Sequence, residues 1–220
     1  MNRALRFYST AIGKKVVMGV TGLIGIGFVI GHMAGNLLAF RGPAAINAYA
    51  AFLQSTGELL WIVRLVLIAS VILHVVAAIQ LTRQNRAARP IGYVDREPQV
   101  STWAARTMRW GGALLLLFIV LHIMHFTTGS WEPSGQFSET DVYSNLVTSF
   151  RIWWVTLFYV AAMLALGLHL YHGAWSSVRS LGISRRSPAP LHRTVAFAVA
   201  GLVWIGFTAV PLAIFAGIIA

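Results

Sequence analysis

The sequence predicts an all-α integral membrane protein with five transmembrane helices, the first four forming a four-helix bundle. Three observations carry that prediction. The 220 residues are 57% hydrophobic and only 10% charged, with mean hydropathy +0.71, and a soluble domain this apolar could not cover its surface with polar groups. Five apolar runs, at approximately 16–39, 59–82, 104–127, 152–178 and 193–218, reach the ~20 residues that cross a bilayer as a helix. The net charge of +11 sits almost wholly in the short segments between these runs, which makes it a topology signal and not a nucleic-acid footprint. Residues 1–220 read as a single transmembrane domain.

Each element follows from its own residues. The first run begins behind Arg3, Arg6, Lys14 and Lys15, like a secretory leader, but it is too long for an h-region and lacks a convincing small-residue cleavage site, so it reads as a retained helix. Between runs one and two, Ile46, Tyr49, Phe52 and Leu53 stand at helical spacing within 44–56, which suits a short helix lying on the outer interface. Residues 141–150 repeat the pattern with Val142, Leu146, Val147 and Phe150. The inner loops are rich in Arg and contain Pro90, Pro98, Pro188 and Pro190; they read as irregular, a basic face for anionic lipid or a docked protein.

Orientation follows from the same charges. The N-terminal segment, the second connection and the fourth connection hold fourteen Lys and Arg, against only Arg41, Arg64 and Arg151 on the other side. The positive-inside rule then puts the N-terminus in the cytoplasm and the C-terminus outside. Trp61, Trp131, Trp153 and Trp154 fall at the outer boundary as an aromatic belt. The chain has no cysteine, which excludes disulfides, thiolate-held iron–sulfur clusters and cysteine-ligated haem.

Four histidines stand deep in apolar runs, one in each of the first four: His32, His74, His122 and His169. A titratable side chain there is costly and points to function. The threading sorts them by depth. Runs one and three travel outward and put His32 and His122 in the outer half; runs two and four return and put His74 and His169 in the inner half. In a bundle ordered one-two-three-four, the members of each pair face each other diagonally. That geometry suits bis-imidazole ligation of two b haems, in layers roughly 13–16 Å apart at ~1.5 Å rise per residue. The intervals 32 to 74 and 122 to 169 also form a weak internal repeat, which the fifth helix does not share. No carboxylate lies within any of the five runs, and Glu58 only edges the second, so a proton relay or transporter is the weaker reading.

Two further histidines complicate the ligand set. His125 and His172 each follow a proposed ligand by three residues, about 60° around the helix, so each pair shares a face. Only one of each pair can be axial. His125 and His172 then read as haem-propionate or quinone contacts, or as interfacial side chains, and His192 as interfacial. Lys14, Lys15, Arg83, Arg86 and Arg106 are within reach of an inner propionate, and Arg41, Arg64 and Arg151 of an outer one; as plain interface anchors they need no such role. Gly27, Gly31 and Gly35 recur every four residues beside His32, Gly111 and Gly112 precede His122, and Gly167 and Gly173 flank His169. Such glycines serve either cofactor clearance or close helix packing.

Together these residues resemble a family. His32-Met33-Ala34-Gly35-Asn36 with Asn47 and Tyr49, then His74, the run 85–90 (Asn-Arg-Ala-Ala-Arg-Pro) and His122 carry the likeness. So do His169-Leu170-Tyr171-His172-Gly173-Ala174-Trp175-Ser176 and Ser180-Leu181-Gly182. The pattern is similar to the cytochrome b membrane anchor of succinate dehydrogenases, in its single-subunit, five-helix, di-haem type, shared with some fumarate reductases. The resemblance implies a bacterial cell-membrane complex with an FAD-bearing flavoprotein and an iron–sulfur subunit. It also implies His32, His74, His122 and His169 as axial ligands of two haems b, and a quinone, most often menaquinone. Succinate chemistry would belong to the partner, so no catalytic acid or base is expected here. Cytochrome b anchors of a hydrogenase or formate dehydrogenase are the nearest alternative, and a non-redox transporter the more distant one.

Overall fold

A computed structural model of the chain describes residues 2–88, 103–183 and 190–220. Among these residues every regular element is a helix: α1 (Arg3–Ser9), α2 (Ala11–Asn36), a 3₁₀ turn (Leu37–Arg41), α3 (Pro43–Ser55), α4 (Glu58–Ala87), α5 (Trp103–Phe126), α6 (Val142–Phe150), α7 (Trp153–Ser180) and α8 (Pro190–Phe215). Five of them, α2 with its 3₁₀ extension, α4, α5, α7 and α8, are long and apolar enough to span a bilayer. The protein is an all-α, multi-pass membrane protein. Its large exposed side chains agree with that: Leu59, Trp61, Ile62, Leu65 and Ile68 line α4 facing outward, where lipid and not water is their solvent.

Local chemistry sets the helix limits and shifts several predicted ones. The first spanning helix starts at Ala11, earlier than the hydropathy suggests, because the Thr10 side chain accepts a hydrogen bond from Gly13 N–H and caps it. Lys14 is buried there, its ammonium donating to the Ser9 carbonyl at 2.8 Å. The second span runs on to Ala87, past the apolar segment. Gly42 at φ 88° and Gly57 at φ 53° make the turns on either side of α3, in backbone conformations that side-chain-bearing residues rarely adopt. Pro190, read from sequence as part of an irregular loop, instead opens α8, where a proline's missing N–H costs nothing. Pro90, Pro98 and Pro188, and with them the irregular inner loops, lie outside the described residues, as do Arg89 and Pro90 of the 85–90 run.

Both expected amphipathic helices form, as α3 and α6. Asp141 caps α6, accepting from Ser144 N–H at 3.0 Å and from the Asn47 amide of α3 at 2.9 Å, while Tyr143 N–H donates to Asn47 Oδ1 at 3.0 Å. The two short helices are thereby tied side by side across one end of the bundle. Under them Ile46, Leu146, Val147 and Phe150 pack with Phe118, Val155, Tyr159, Ala162 and Met163 into the main apolar core. This end is capped; the opposite end has no such cover among the described residues.

Helix α7 is the hub. It packs against α8, α5 and α2, and α2 in turn against α4. The first four spans thus surround an axis in the order α2, α4, α5, α7, except that α4 and α5 share no packed seam among the described residues. The fifth span, α8, lies on α7 and α2, with Met33 of α2 resting on Gly206. It also sends Phe207 to the ring of His32, 5.8 Å away between centroids, a contact that its lack of a deep histidine did not suggest.

Candidate functional site: two histidine layers

The diagonal arrangement brings the deep histidines together in two pairs. Toward the capped end, His32 of α2 faces His122 of α5 with ring centroids 5.8 Å apart. Toward the other end, His74 of α4 faces His169 of α7 at 6.1 Å. Two imidazoles holding one metal ion between them, each at the ~2 Å nitrogen–metal distance common to imidazole ligation, have ring centres roughly 6 Å apart. Both layers meet that requirement. Among the described residues no three His, Asp or Glu side chains gather as they would around a metal ion; each layer brings together two imidazoles.

The layers are separated along the bundle by two independent rulers. Thr21 lies at the His74 ring, and His32 is eleven residues further along the same helix, a rise of ~16 Å. Gly112 lies against the His169 ring, and His122 is ten residues further along α5, a rise of ~15 Å.

The ring nitrogens are distributed unequally. Thr21 Oγ1 donates to the Val17 carbonyl at 2.8 Å and lies 3.2 Å from His74 Nδ1. With its hydrogen engaged, the hydroxyl accepts from His74 Nδ1–H, and Nε2 keeps its lone pair. His169 Nδ1 is buried without a hydrogen-bond partner, a costly condition for a polar atom. In the capped layer, His122 Nδ1 is 3.4 Å from the Tyr159 hydroxyl. Phe28 and Phe118 stack on His32 and His122 respectively, at 5.3 and 5.5 Å.

Of the roles the sequence left open for His125 — propionate contact, quinone contact or interfacial side chain — the exposed interfacial one does not hold. His125 is fully buried, and both nitrogens are taken: Nδ1 by Tyr159 Oη at 2.9 Å and Nε2 by Ser149 Oγ at 2.9 Å. Glu132, from the connection between α5 and α6, brings Oε2 to 3.3 Å of His125 Nε2. Its Oε1 accepts from Ser134 N–H at 2.9 Å and from Ser134 Oγ at 2.6 Å. A carboxylate therefore does reach His125, from a loop and not from a span. Between His122 and His125, only His122 has a nitrogen to offer. His172 is half-buried, edge-on to Trp175 at 6.1 Å, and does not join the His74–His169 pair. His192 is half-buried at the start of α8.

The glycines divide cleanly. A side chain on Gly35 would strike the Tyr49 ring and one on Gly167 would meet Trp204, so these two serve packing. Gly27, Gly31, Gly111 and Gly173 face open space. At Gly111 the open face belongs to a groove of about 450 Å³ beside His169, between α5 and α7, lined also by Leu114, Ala161, Leu164, Ala165 and Leu168. A flat apolar macrocycle held between paired imidazoles needs openings of this kind. Of the cations considered for propionates, Arg64 and Arg106 stack on Trp61 and Trp103, with guanidinium–ring distances of 5.0 and 5.6 Å. Lys15, Arg41, Arg83, Arg86 and Arg151 are exposed. Trp131, expected in the belt, packs on His125 at 5.2 Å and on Trp154, another of the belt residues, at 6.2 Å.

Tyr159, Thr21, Ser149, Glu132 and Phe207 were not legible as site residues, because each is defined by what lies across from it. Only a polar Tyr and Thr inside apolar runs could have drawn attention to the first two. No protein-family model, no curated protein and no solved structure matches the chain.

Proposed function

We propose that the protein is a di-haem cytochrome b: the membrane anchor of a succinate:quinone oxidoreductase, carrying electrons between an iron–sulfur subunit and a quinone, menaquinone by the family resemblance. One observation carries the proposal: two half-buried imidazole pairs, at 5.8 and 6.1 Å, stacked along one bundle. When bound, haem supplies a one-electron iron couple, and the protein sets its potential through ligand, burial and hydrogen bonding. His32 and His122 hold the haem of the capped layer; His74 and His169 hold the other. Thr21 orients the His74 ring, and the open faces at Gly27, Gly31, Gly111 and Gly173 admit the macrocycles. The aromatic rings around His32 and His122 exclude water from that layer.

In this reading the capped end faces outside the cytoplasm, as the charge asymmetry requires. A flavoprotein with FAD and an iron–sulfur protein dock on the basic cytoplasmic end, beside the His74/His169 layer, and anionic lipid borders the same face. The chain itself contributes no acid or base to succinate chemistry. The deciding experiment is the optical spectrum and haem stoichiometry of the purified membrane complex. Two haems b per chain and a co-purifying covalent flavoprotein are expected. A folded, haem-free complex overturns the proposal, and haem with a different catalytic partner reassigns the anchor to another quinone-linked enzyme.

A further inference from the structure

Three buried groups around Tyr159 form a chain with a direction. As a carboxylate, Glu132 only accepts hydrogen bonds. Ser149 Oγ donates to Glu132 Oε1 at 3.4 Å, so its oxygen is left to accept from His125 Nε2–H at 2.9 Å. Glu132 Oε2, 3.3 Å from the same nitrogen, favours the proton there. When His125 is neutral it carries one N–H, so Nδ1 is then the acceptor, and the hydrogen on its 2.9 Å contact comes from the Tyr159 hydroxyl. With its only hydrogen so engaged, Tyr159 Oη can meet His122 Nδ1, at 3.4 Å, only as an acceptor. His122 is then protonated on Nδ1, and Nε2 keeps its lone pair.

We infer that Glu132, acting through Ser149, His125 and Tyr159, sets the tautomer of His122 and so leaves Nε2 free to bind a metal ion. Glu132, His125 and Tyr159 are positioning residues: none is itself a ligand. Thr21 performs the same task for His74 in a single step. Each layer thus has one histidine locked by a hydroxyl acceptor, on α4 in one and on α5 in the other. The arrangement is the outer-shell hydrogen bond that orients a ligating imidazole and raises its basicity. The inference rests on the haem reading for its purpose, while the tautomer itself does not depend on haem.

The two variants act differently. Tyr159→Phe removes the acceptor and keeps the ring that packs edge-on against Phe118 and Phe150. Glu132→Gln reverses the bias, because the two Ser134 donors hold its carbonyl oxygen in the Oε1 position and turn the amide NH₂ toward His125 Nε2. The experiment uses the full chain in detergent, labelled with ¹⁵N-histidine, first without added haem and then titrated with haem b. In the wild type His122 shows a protonated Nδ1 and a bare Nε2. Both variants move His122 away from that state and weaken one of the two haem sites by about 10- to 100-fold. The potential of that haem rises, by about 59 mV for each tenfold change in the one-electron equilibrium. Thr21→Val moves only the other site. If Glu132→Gln does not accumulate, Tyr159→Phe carries the test alone. Folded variants with an unchanged His122 tautomer and two unchanged haem sites overturn the inference and leave the haem reading standing. A wild type that binds no haem, with the tautomer shift still present, overturns the haem reading and leaves the inference.

Discussion

His32 and His122 come from helices that are not adjacent in the chain, yet their rings meet across the bundle axis with centroids 5.8 Å apart and planes at 77°. No hydrogen bond joins the two rings to each other, and neither belongs to an ion pair among the described residues. What they share is the space between them.

Removing one imidazole from a layer should empty that layer alone. His74→Ala is expected to lower the haem content from two per chain to one, with the remaining spectrum that of the His32/His122 layer. His122→Ala should leave the complementary spectrum. Haem extraction and low-temperature absorbance of the purified variants check this, and loss of both haems from either single substitution would count against independent layers.

His125→Leu should behave differently from His122→Ala. It leaves Ser149, Tyr159 and Glu132 buried with unfilled hydrogen bonds, which costs ~3 kcal/mol by the usual penalty for stranding such groups. Thermal unfolding in detergent should register the loss. At saturating haem the variant should still hold two bis-histidine haems, since the nitrogens of His125 are already taken by the protein.

Gly31 and Gly35 lie one turn apart and should respond oppositely. Gly31→Leu places its side chain in open space, so the haem-free fold should tolerate it, with helix propensity slightly improved by up to ~1 kcal/mol, while haem binding in the capped layer falls. Gly35→Ala drives a methyl into the Tyr49 ring and should destabilise the fold by ~1–3 kcal/mol, as overpacking does. Unfolding temperature and haem affinity, measured on both variants, separate the two effects.

Asp141 gives a pH dependence whose sign can be stated. Its carboxyl is held below the ordinary aspartate range, first by the Ser144 backbone N–H and then by the Asn47 amide. A carboxyl whose folded value is depressed stabilises the fold fully above its unfolded value, and that contribution is lost as pH falls through the folded one. Asp141→Ala should therefore cost ~1 kcal/mol at neutral pH, as loss of an N-cap does. The difference from wild type should shrink on the acid side of about pH 3.9. Unfolding of both proteins at several pH values tests it; a constant difference across that range would exclude the carboxylate as its source.

The sequence by itself determined the five spans, the two amphipathic helices α3 and α6, and the sorting of His32, His74, His122 and His169 into two depths. These are properties of a residue and its near neighbours along the chain: hydropathy accumulates over a run, helical period sets a face, and alternating direction converts position into depth. The tertiary structure alone decided which of His122 and His125 has a free nitrogen, because that depends on Tyr159 and Ser149 from other helices. It decided that Gly35 packs while Gly31 stands open, since identical residues differ only in whether Tyr49 or empty space lies opposite. It also brought Glu132 from a polar connection into the buried network. A loop's reach is set by how the chain folds back over the bundle, and no periodicity within the loop records it.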